Sequence, residues 1–234
     1  GFTIIELMIA TAIFAVILLI LVVGVLPLTN SYYRGITDSN TQDVARSIVS
    51  DITQSIQFEG GSIENTPGSA AGTTYVFCVG NEQFYYLLGY QFTSNPDSSK
   101  YQAYHGLEVK HGSLSCPTST EADHTPTTPN FMNSAGPSGL QELLKPGMRL
   151  SNLSITPDSD NPSLYTVNVL VVYGDSDLLC NPVPALGNSG SCSSSTSMSA
   201  AQDFVGPGVT CKSGVGSQFC STAKLSTIVE RRVD

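Results

Sequence analysis

The fold is decided by the stretch GFTIIELMIATAIFAVILLILVVGVLPL at residues 1–28. From residue 7 to residue 28 this stretch carries no charged side chain and is almost wholly aliphatic. As an α-helix the run covers about 30 Å, which is the thickness of the hydrocarbon core of a bilayer. The sequence therefore predicts a membrane-spanning helix. Glu6, an acid at the head of that helix, is costly in lipid unless it is neutralised, so we interpret it as a functional residue.

A signal peptide, a buried core helix and a plain membrane anchor each fit this segment less well. A secretory signal peptide has a basic first region and an apolar core of roughly 7–15 residues, whereas here no basic residue precedes Arg34. A buried core helix would be unusually long and uniformly apolar for a chain of 234 residues. An ordinary membrane anchor fits the length, but it gives no reason for the acid at Glu6.

Residues 1–10, GFTIIELMIA, resemble the processing and assembly signature of type IV pilins and of their relatives, the type II secretion pseudopilins. The resemblance covers only residues 1–30. It implies that a prepilin peptidase cuts after Gly1, that Phe2 becomes the N-methylated terminus, and that Glu6 is the assembly residue. Because the numbered chain begins one residue before that cut, either Gly1 was retained or processing differs here.

The pairing implied for Glu6 has a physical basis. At neutral pH a terminal amino group is cationic and a glutamate is anionic. Glu6 of one chain could therefore neutralise the terminal ammonium of a neighbouring chain. Breaking such a buried pair from one side costs roughly 3–5 kcal/mol. Only one axial stagger of identical helices satisfies the pair, so the predicted partner is a second copy of the chain in a helical filament.

Gly24 and Pro27 lie near the end of the apolar run. A proline inside a helix removes one backbone hydrogen bond and clashes with the preceding turn, and glycine weakens the same region. We expect a kink or a melted turn there. The alternative is that residues 27–30 end the membrane helix.

A second helical pattern follows in residues 31–58. Val44, Ile48, Ile52 and Ile56 recur every four residues and form a one-sided apolar stripe that a globular head must cover. A pair of glycines at residues 60–61 supplies the stop. The predicted organisation is a filament-core or membrane helix at 1–30, an amphipathic continuation at 31–59 and a β-rich head at 60–234.

The head is predicted to be an antiparallel β-sheet with long loops, which makes the fold class α+β. The candidate strands are rich in Val, Ile, Tyr, Phe and Leu and are bounded by turn residues. They lie at 74–79, 83–92, 106–110, 148–155, 164–173 and 225–232. The stretches 61–73, 93–105, 112–140 and 174–222 are predicted to be loops.

Six cysteines are placed to tie these loops together. They are Cys78, Cys116, Cys180, Cys192, Cys211 and Cys220. Their even number behind a membrane segment predicts three disulfides in a non-cytoplasmic head. Sequence alone leaves about fifteen connectivities open; we expect Cys78 to pair with Cys116 and the last four to pair among themselves. Zinc binding is the rival hypothesis, but no Cys-x-x-Cys spacing supports it.

The charge and the missing motifs argue against nucleic-acid binding and against catalysis. The net charge is −9 and the ten Lys and Arg residues are scattered, so direct binding of nucleic acid is not expected. The sequence lacks the Gly-x-Ser-x-Gly, phosphate-loop and His-Glu-x-x-His motifs, and we expect neither an enzyme nor a cofactor. Two alternating acidic pairs are calcium candidates, with Asx turns as the ordinary alternative. They are Asp158, Asp160, Asp175 and Asp177.

The predicted function is that of a structural subunit of a type IV pilus filament, serving adhesion, twitching motility or DNA uptake. The chain would wait in the cytoplasmic membrane and then be moved by an assembly machine into an extracellular surface fibre. One alternative is a minor pilin or a type II secretion pseudopilin that primes or caps a filament. The other is a membrane-anchored binding domain that never polymerises.

Overall fold

The computed structural model describes residues 1, 3–58, 63–64, 74–89, 106–112, 116, 140–175, 178–180, 210–214 and 216–232. Within these ranges the elements are one long helix, ten strands and a short 3-10 helix. The helix α1 spans Ile4–Phe58 and the 3-10 helix spans Ser217–Phe219. The strands are β1 Ile63–Glu64, β2 Thr74–Val79, β3 Glu82–Leu87, β4 Leu107–His111, β5 Leu140–Glu142, β6 Met148–Pro157, β7 Leu164–Tyr173, β8 Leu179–Cys180, β9 Thr210–Cys211 and β10 Ser221–Glu230. The predicted α+β class, with a long N-terminal helix and antiparallel sheets, is confirmed.

Helix α1 is unbroken and holds Pro27 in its interior. The alternative in which residues 27–30 end the helix is therefore wrong, and the melted turn is not found between Ile4 and Phe58. The kink at Gly24 and Pro27 stays a prediction. Proline removes one backbone hydrogen bond from the helix, but the residues on both sides of Pro27 remain helical. The hydroxyl of Thr29 also donates to the carbonyl of Val25 at 3.0 Å, just beyond the proline.

The first sheet is a five-stranded antiparallel meander in the order β1-β2-β3-β4-β5. Strand β2 has the predicted bounds. Strand β3 stops earlier than the predicted 83–92, because the chain turns at Gly89, whose φ of 85° is one that glycine adopts without strain. Strand β5 begins at the last residue of the predicted loop 112–140, and its three residues are too few to give a periodic signal.

The second sheet has three antiparallel strands in the order β10-β7-β6. Strand β7 lies at the centre with the predicted bounds, and it alternates buried and half-buried side chains along most of its length. Strand β10 begins at Ser221, four residues before the predicted start. The prediction missed these four residues because most of their side chains are small or polar and have low strand propensity. A two-stranded pair, β8 with β9, falls inside the predicted loop 174–222.

The core lies between the second half of α1 and the two sheets. The predicted stripe of Val44, Ile48, Ile52 and Ile56 is buried there. The stripe packs with inward-facing side chains from both sheets, such as Phe84 of the first and Val169 of the second. The head thus folds onto the helix, and the helix supplies a large part of the head's own core.

Two of the predicted disulfides are present. Cys78 in β2 is bonded to Cys116, and Cys211 in β9 is bonded to Cys220 at the start of β10. The first confirms the expected pair and the second confirms a pair within the last four. Cys192 lies outside the described residues, so the pairing of Cys180 and Cys192 stays a prediction. No cysteine within the described part of the chain is free.

Candidate functional site

The first half of α1 projects from the head with its apolar side chains uncovered. Large aliphatic and aromatic side chains from Ile4 to Leu28 are between 44% and 82% exposed. Around its most apolar 18 residues the helix has a mean hydropathy of 3.2, and none of that window is buried within the chain. The helix is therefore long and apolar enough to cross a membrane. It is apolar on every side, as expected of a helix covered by lipid or by other helices.

Glu6 lies at the head of this helix and forms a capping box with Thr3. The backbone N–H of Thr3 donates to Oε2 of Glu6 at 2.9 Å, and the hydroxyl of Thr3 donates to the same oxygen at 2.8 Å. In return, the backbone N–H of Glu6 donates to Oγ1 of Thr3 at 3.3 Å. The backbone N–H groups of Thr3 and Glu6 are thus each hydrogen-bonded to the side chain of the other residue. The spacing Thr-x-x-Glu is a sequence signal for this motif, which our interpretation of Glu6 did not use.

The capping box gives Glu6 a role within its own chain. A negative side chain in the first turn also interacts favourably with the helix dipole. A carboxylate can accept several hydrogen bonds, so the bonds to Thr3 are compatible with an additional cationic partner. Gly1 is exposed, and Phe2 lies outside the described residues. The site therefore consists of a capped acidic helix end that continues into an uncovered apolar surface.

Gly24 lies on this apolar surface, and no other described part of the chain packs closely against it. A Cβ atom built at Gly24 would meet nothing within 4 Å in the single chain. The same holds for Gly35, beyond the apolar run. Small residues allow close approach of a neighbouring helix in an apolar environment. In the described chain neither glycine is needed to accommodate the head.

The acidic pairs proposed for calcium are not gathered into one site by the described residues. The Oδ1 atom of Asp158 accepts hydrogen bonds from the backbone N–H groups of Asp160 and Asn161, at 2.9 and 3.0 Å. This arrangement is an Asx turn in the connection between β6 and β7. Asp175 is exposed and Asp177 lies outside the described residues. Within the described ranges, no group of three or more His, Cys, Asp or Glu side chains is arranged to hold a metal ion.

A polar cluster that the sequence did not reveal joins the packed half of α1 to the first sheet. Glu82 of β3 accepts a hydrogen bond from the Ser55 hydroxyl through Oε2, and its Oε1 lies 2.8 Å from Nδ1 of His111. These residues line an open cavity of about 290 Å³, together with Asp51 and Phe58. A serine, a histidine and an acid thus meet, but the acid lies between the other two. In a nucleophilic Ser-His-acid triad the histidine contacts the serine, so this order is not that of such a triad.

The electrostatics of the cluster centre on Asp51. Partial burial raises the pKa of this carboxyl above its usual value, and the nearby negative charge of Glu82 raises it further. His111 acts in the opposite direction and lowers the pKa. The cluster therefore holds two carboxylates close enough to repel each other, on either side of the helix–sheet contact. It is a feature of the packing between α1 and the head, remote in sequence from the capped end.

The chain matches no protein-family model, no curated protein and no solved structure. The resemblance to the pilin signature is therefore confined to the N-terminal residues.

Proposed function

We propose that this chain is the structural subunit of a filament of the type IV pilus class. The observation that supports the proposal is the unpartnered half of α1, which is apolar on all sides and begins with an acid. Its exposed hydrophobic surface far exceeds what a monomeric soluble protein tolerates. Lipid covers this surface before assembly, and equivalent helices of other copies cover it in the filament.

The role of Glu6 in this proposal is to set the register between subunits. A prepilin peptidase removes Gly1, and the new terminus at Phe2 carries the positive charge that Glu6 of a neighbour neutralises. The carboxylate lies at the helix end where that partner arrives, and the bonds from Thr3 leave it acceptor capacity for that partner. The cost of leaving either charge unpaired among apolar side chains then favours one stagger over all others.

The head forms the fibre surface in this proposal. It is fastened to α1 by the buried stripe at Val44–Ile56 and is braced by disulfides, which fits an oxidising, extracellular location. Its partners are other copies of itself, the membrane before assembly, the peptidase and the assembly machine. Catalysis, a cofactor and direct binding of nucleic acid form no part of the proposed role.

Electron microscopy of purified surface fibres, combined with mass spectrometry of their main component, tests the proposal. We expect fibres with a continuous central density formed by packed helices, and a main component that begins with N-methylated Phe2. Fibres in which this chain is only a trace component would identify the alternative, a minor pilin or a type II secretion pseudopilin. A chain that stays in the membrane fraction and yields no fibres would contradict assembly and identify an anchored binding domain.

The alternative of a minor or priming subunit is supported by one feature of the head. The pair β8–β9 lies outside the two larger sheets, and the disulfide Cys211–Cys220 joins β9 to the start of β10. The abundance of this chain in the purified fibres separates the two roles.

A further inference from the structure

Three aromatic side chains meet where the apolar half of α1 ends. The ring centroid of Tyr33 lies 6.1 Å from that of Tyr32 and 5.7 Å from that of Phe219. All three residues are exposed, with exposed fractions of 67% for Tyr32, 46% for Tyr33 and 47% for Phe219. We call these three residues the aromatic collar. Two of them come from the helix and the third comes from the head.

Phe219 is held firmly in this position. It ends the 3-10 helix Ser217–Phe219, and the next residue, Cys220, is buried and bonded to Cys211. The N–H of Phe219 donates to the carbonyl of Gly216 at 2.9 Å, and strand β10 begins immediately after Cys220. An exposed phenylalanine on such a constrained turn loses little further freedom when it binds a surface.

The collar lies at a defined height along the helix. The uncovered run from Ile4 to Leu28 is about 36 Å long, which spans a hydrocarbon core of about 30 Å when the helix is tilted by about 35°. Tyr32 follows Leu28 by four residues, or about 6 Å along the axis. This is the depth of the lipid headgroups, where tyrosine is enriched because its ring is apolar and its hydroxyl is polar.

The charged residues begin just beyond the collar. Arg34 directly follows Tyr33, and Asp38 lies about one turn beyond Arg34 on α1, with Nε of Arg34 and Oδ2 of Asp38 separated by 4.0 Å. The order along the helix is thus aliphatic, then aromatic, then charged, which is the order of a membrane boundary. The head contributes Phe219 at the aromatic level, so the base of the head lies at that boundary too.

We propose that Tyr32, Tyr33 and Phe219 form a contact with the headgroup region of the bilayer that fixes the depth of the helix and seats the head on the membrane surface. This inference rests on the proposed function only in that α1 must span a membrane before assembly. The disulfide Cys211–Cys220 and the 3-10 helix then serve lipid binding, because they carry Phe219. On assembly the collar leaves the lipid together with the helix.

Fluorescence quenching by brominated lipids tests the collar, because the chain contains no tryptophan. The full chain is reconstituted in phosphatidylcholine vesicles whose bromines lie either near the headgroups or near the ends of the acyl chains. Phe219→Trp and Tyr32→Trp place a single reporter in the collar. Phe14→Trp places one in the middle of the apolar run, and Phe58→Trp places one about 39 Å beyond Tyr32 on the same helix.

We expect the fluorescence of Phe219→Trp and Tyr32→Trp to be quenched more by the shallow bromines than by the deep ones. Both variants should also emit at a shorter wavelength than Phe58→Trp. Phe58→Trp should lose no intensity in either kind of vesicle. Phe14→Trp is expected to show the opposite depth preference. Collar reporters that are quenched no more than Phe58→Trp, while Phe14→Trp is quenched, would overturn the collar and leave the membrane helix standing. An unquenched Phe14→Trp would overturn both. Collar quenching that disappears as the protein-to-lipid ratio rises would indicate that a second copy covers the collar in the membrane, which also contradicts the inference.

Discussion

At the scale of single residues, the capping box changes how Glu6 has to be tested. Replacing Glu6 by alanine removes the charge and the cap together, so a loss of filaments could come from either change. The spacing Thr-x-x-Glu separates them, because glutamine preserves a capping box and carries no charge. Thr3→Ala removes the cap and keeps the charge. Glu6→Gln and Thr3→Ala therefore separate the effect of the charge from the effect of the cap.

Asp51 provides a prediction at the same scale. Its pKa is raised above the ordinary value of about 3.8 by burial and by Glu82, so the folded chain binds this proton more tightly than the unfolded chain does. The free energy of unfolding therefore falls as the pH rises from that ordinary value through the raised one. Asp51→Asn should raise the melting temperature at neutral pH by about 1–3 °C, because it removes the buried charge and its repulsion from Glu82.

Thermal unfolding of the detergent-solubilised chain at neutral pH and at a pH below the ordinary pKa of Asp51 checks this prediction. The gain should vanish at the lower pH, where the carboxyl is protonated in both states. Asp43→Asn is the control, since Asp43 lies exposed on the same helix within 3.9 Å of Arg46. An equal gain from both variants would show that the overall negative charge, and not the cluster, accounts for the effect.

At the scale of elements, the stripe on α1 is predicted to hold the head in place. Ile52 is completely buried between the helix and the sheets. Ile52→Ala should lower the free energy of unfolding of the head by about 2–5 kcal/mol, because it removes buried methylene groups and leaves a cavity. Denaturant unfolding of the solubilised chain measures the change.

Ile36→Ala is the matched control for Ile52→Ala. Ile36 lies on the same helix but is 41% exposed, so its loss should change the free energy of unfolding by no more than about 0.5 kcal/mol. Equal losses from the two variants would mean that helix propensity, rather than packing of the stripe, governs the stability of this half.

The elements differ in how well the sequence predicts them. The apolar run, the stripe and strand β7 were predictable, because each repeats a strong pattern over many residues. Strand β5 and the pair β8–β9 were not, since two or three residues have no measurable period and take their conformation from neighbouring strands. The contact of Glu82 with Ser55 joins residues 27 positions apart in sequence, and only the register of the folded sheet on the helix brings them together.

At the scale of the whole molecule, the two disulfides are predicted to differ in their effect on the head. Cys78–Cys116 closes a segment with a sequence separation of 38, whereas the separation for Cys211–Cys220 is 9. Because a longer loop loses more freedom in the unfolded state, replacing the first pair by serine should cost about 1 kcal/mol more than replacing the second. Denaturant unfolding of the two double variants gives the comparison, and the reverse order would contradict the loop-closure account.

The central proposal concerns the whole molecule as a subunit: we propose that its copies assemble because the charge of Glu6 pairs with a neighbour's terminus. The most direct measurement is the yield of surface fibres, by electron microscopy and by quantifying the sheared fibre fraction, for Glu6→Gln and Thr3→Ala. Both chains should reach the membrane in normal amounts. We predict that Glu6→Gln abolishes or strongly reduces fibres, whereas Thr3→Ala, which weakens the helix end by about 1 kcal/mol, retains them. Normal fibres from Glu6→Gln, or an equal loss from both variants, would contradict the account.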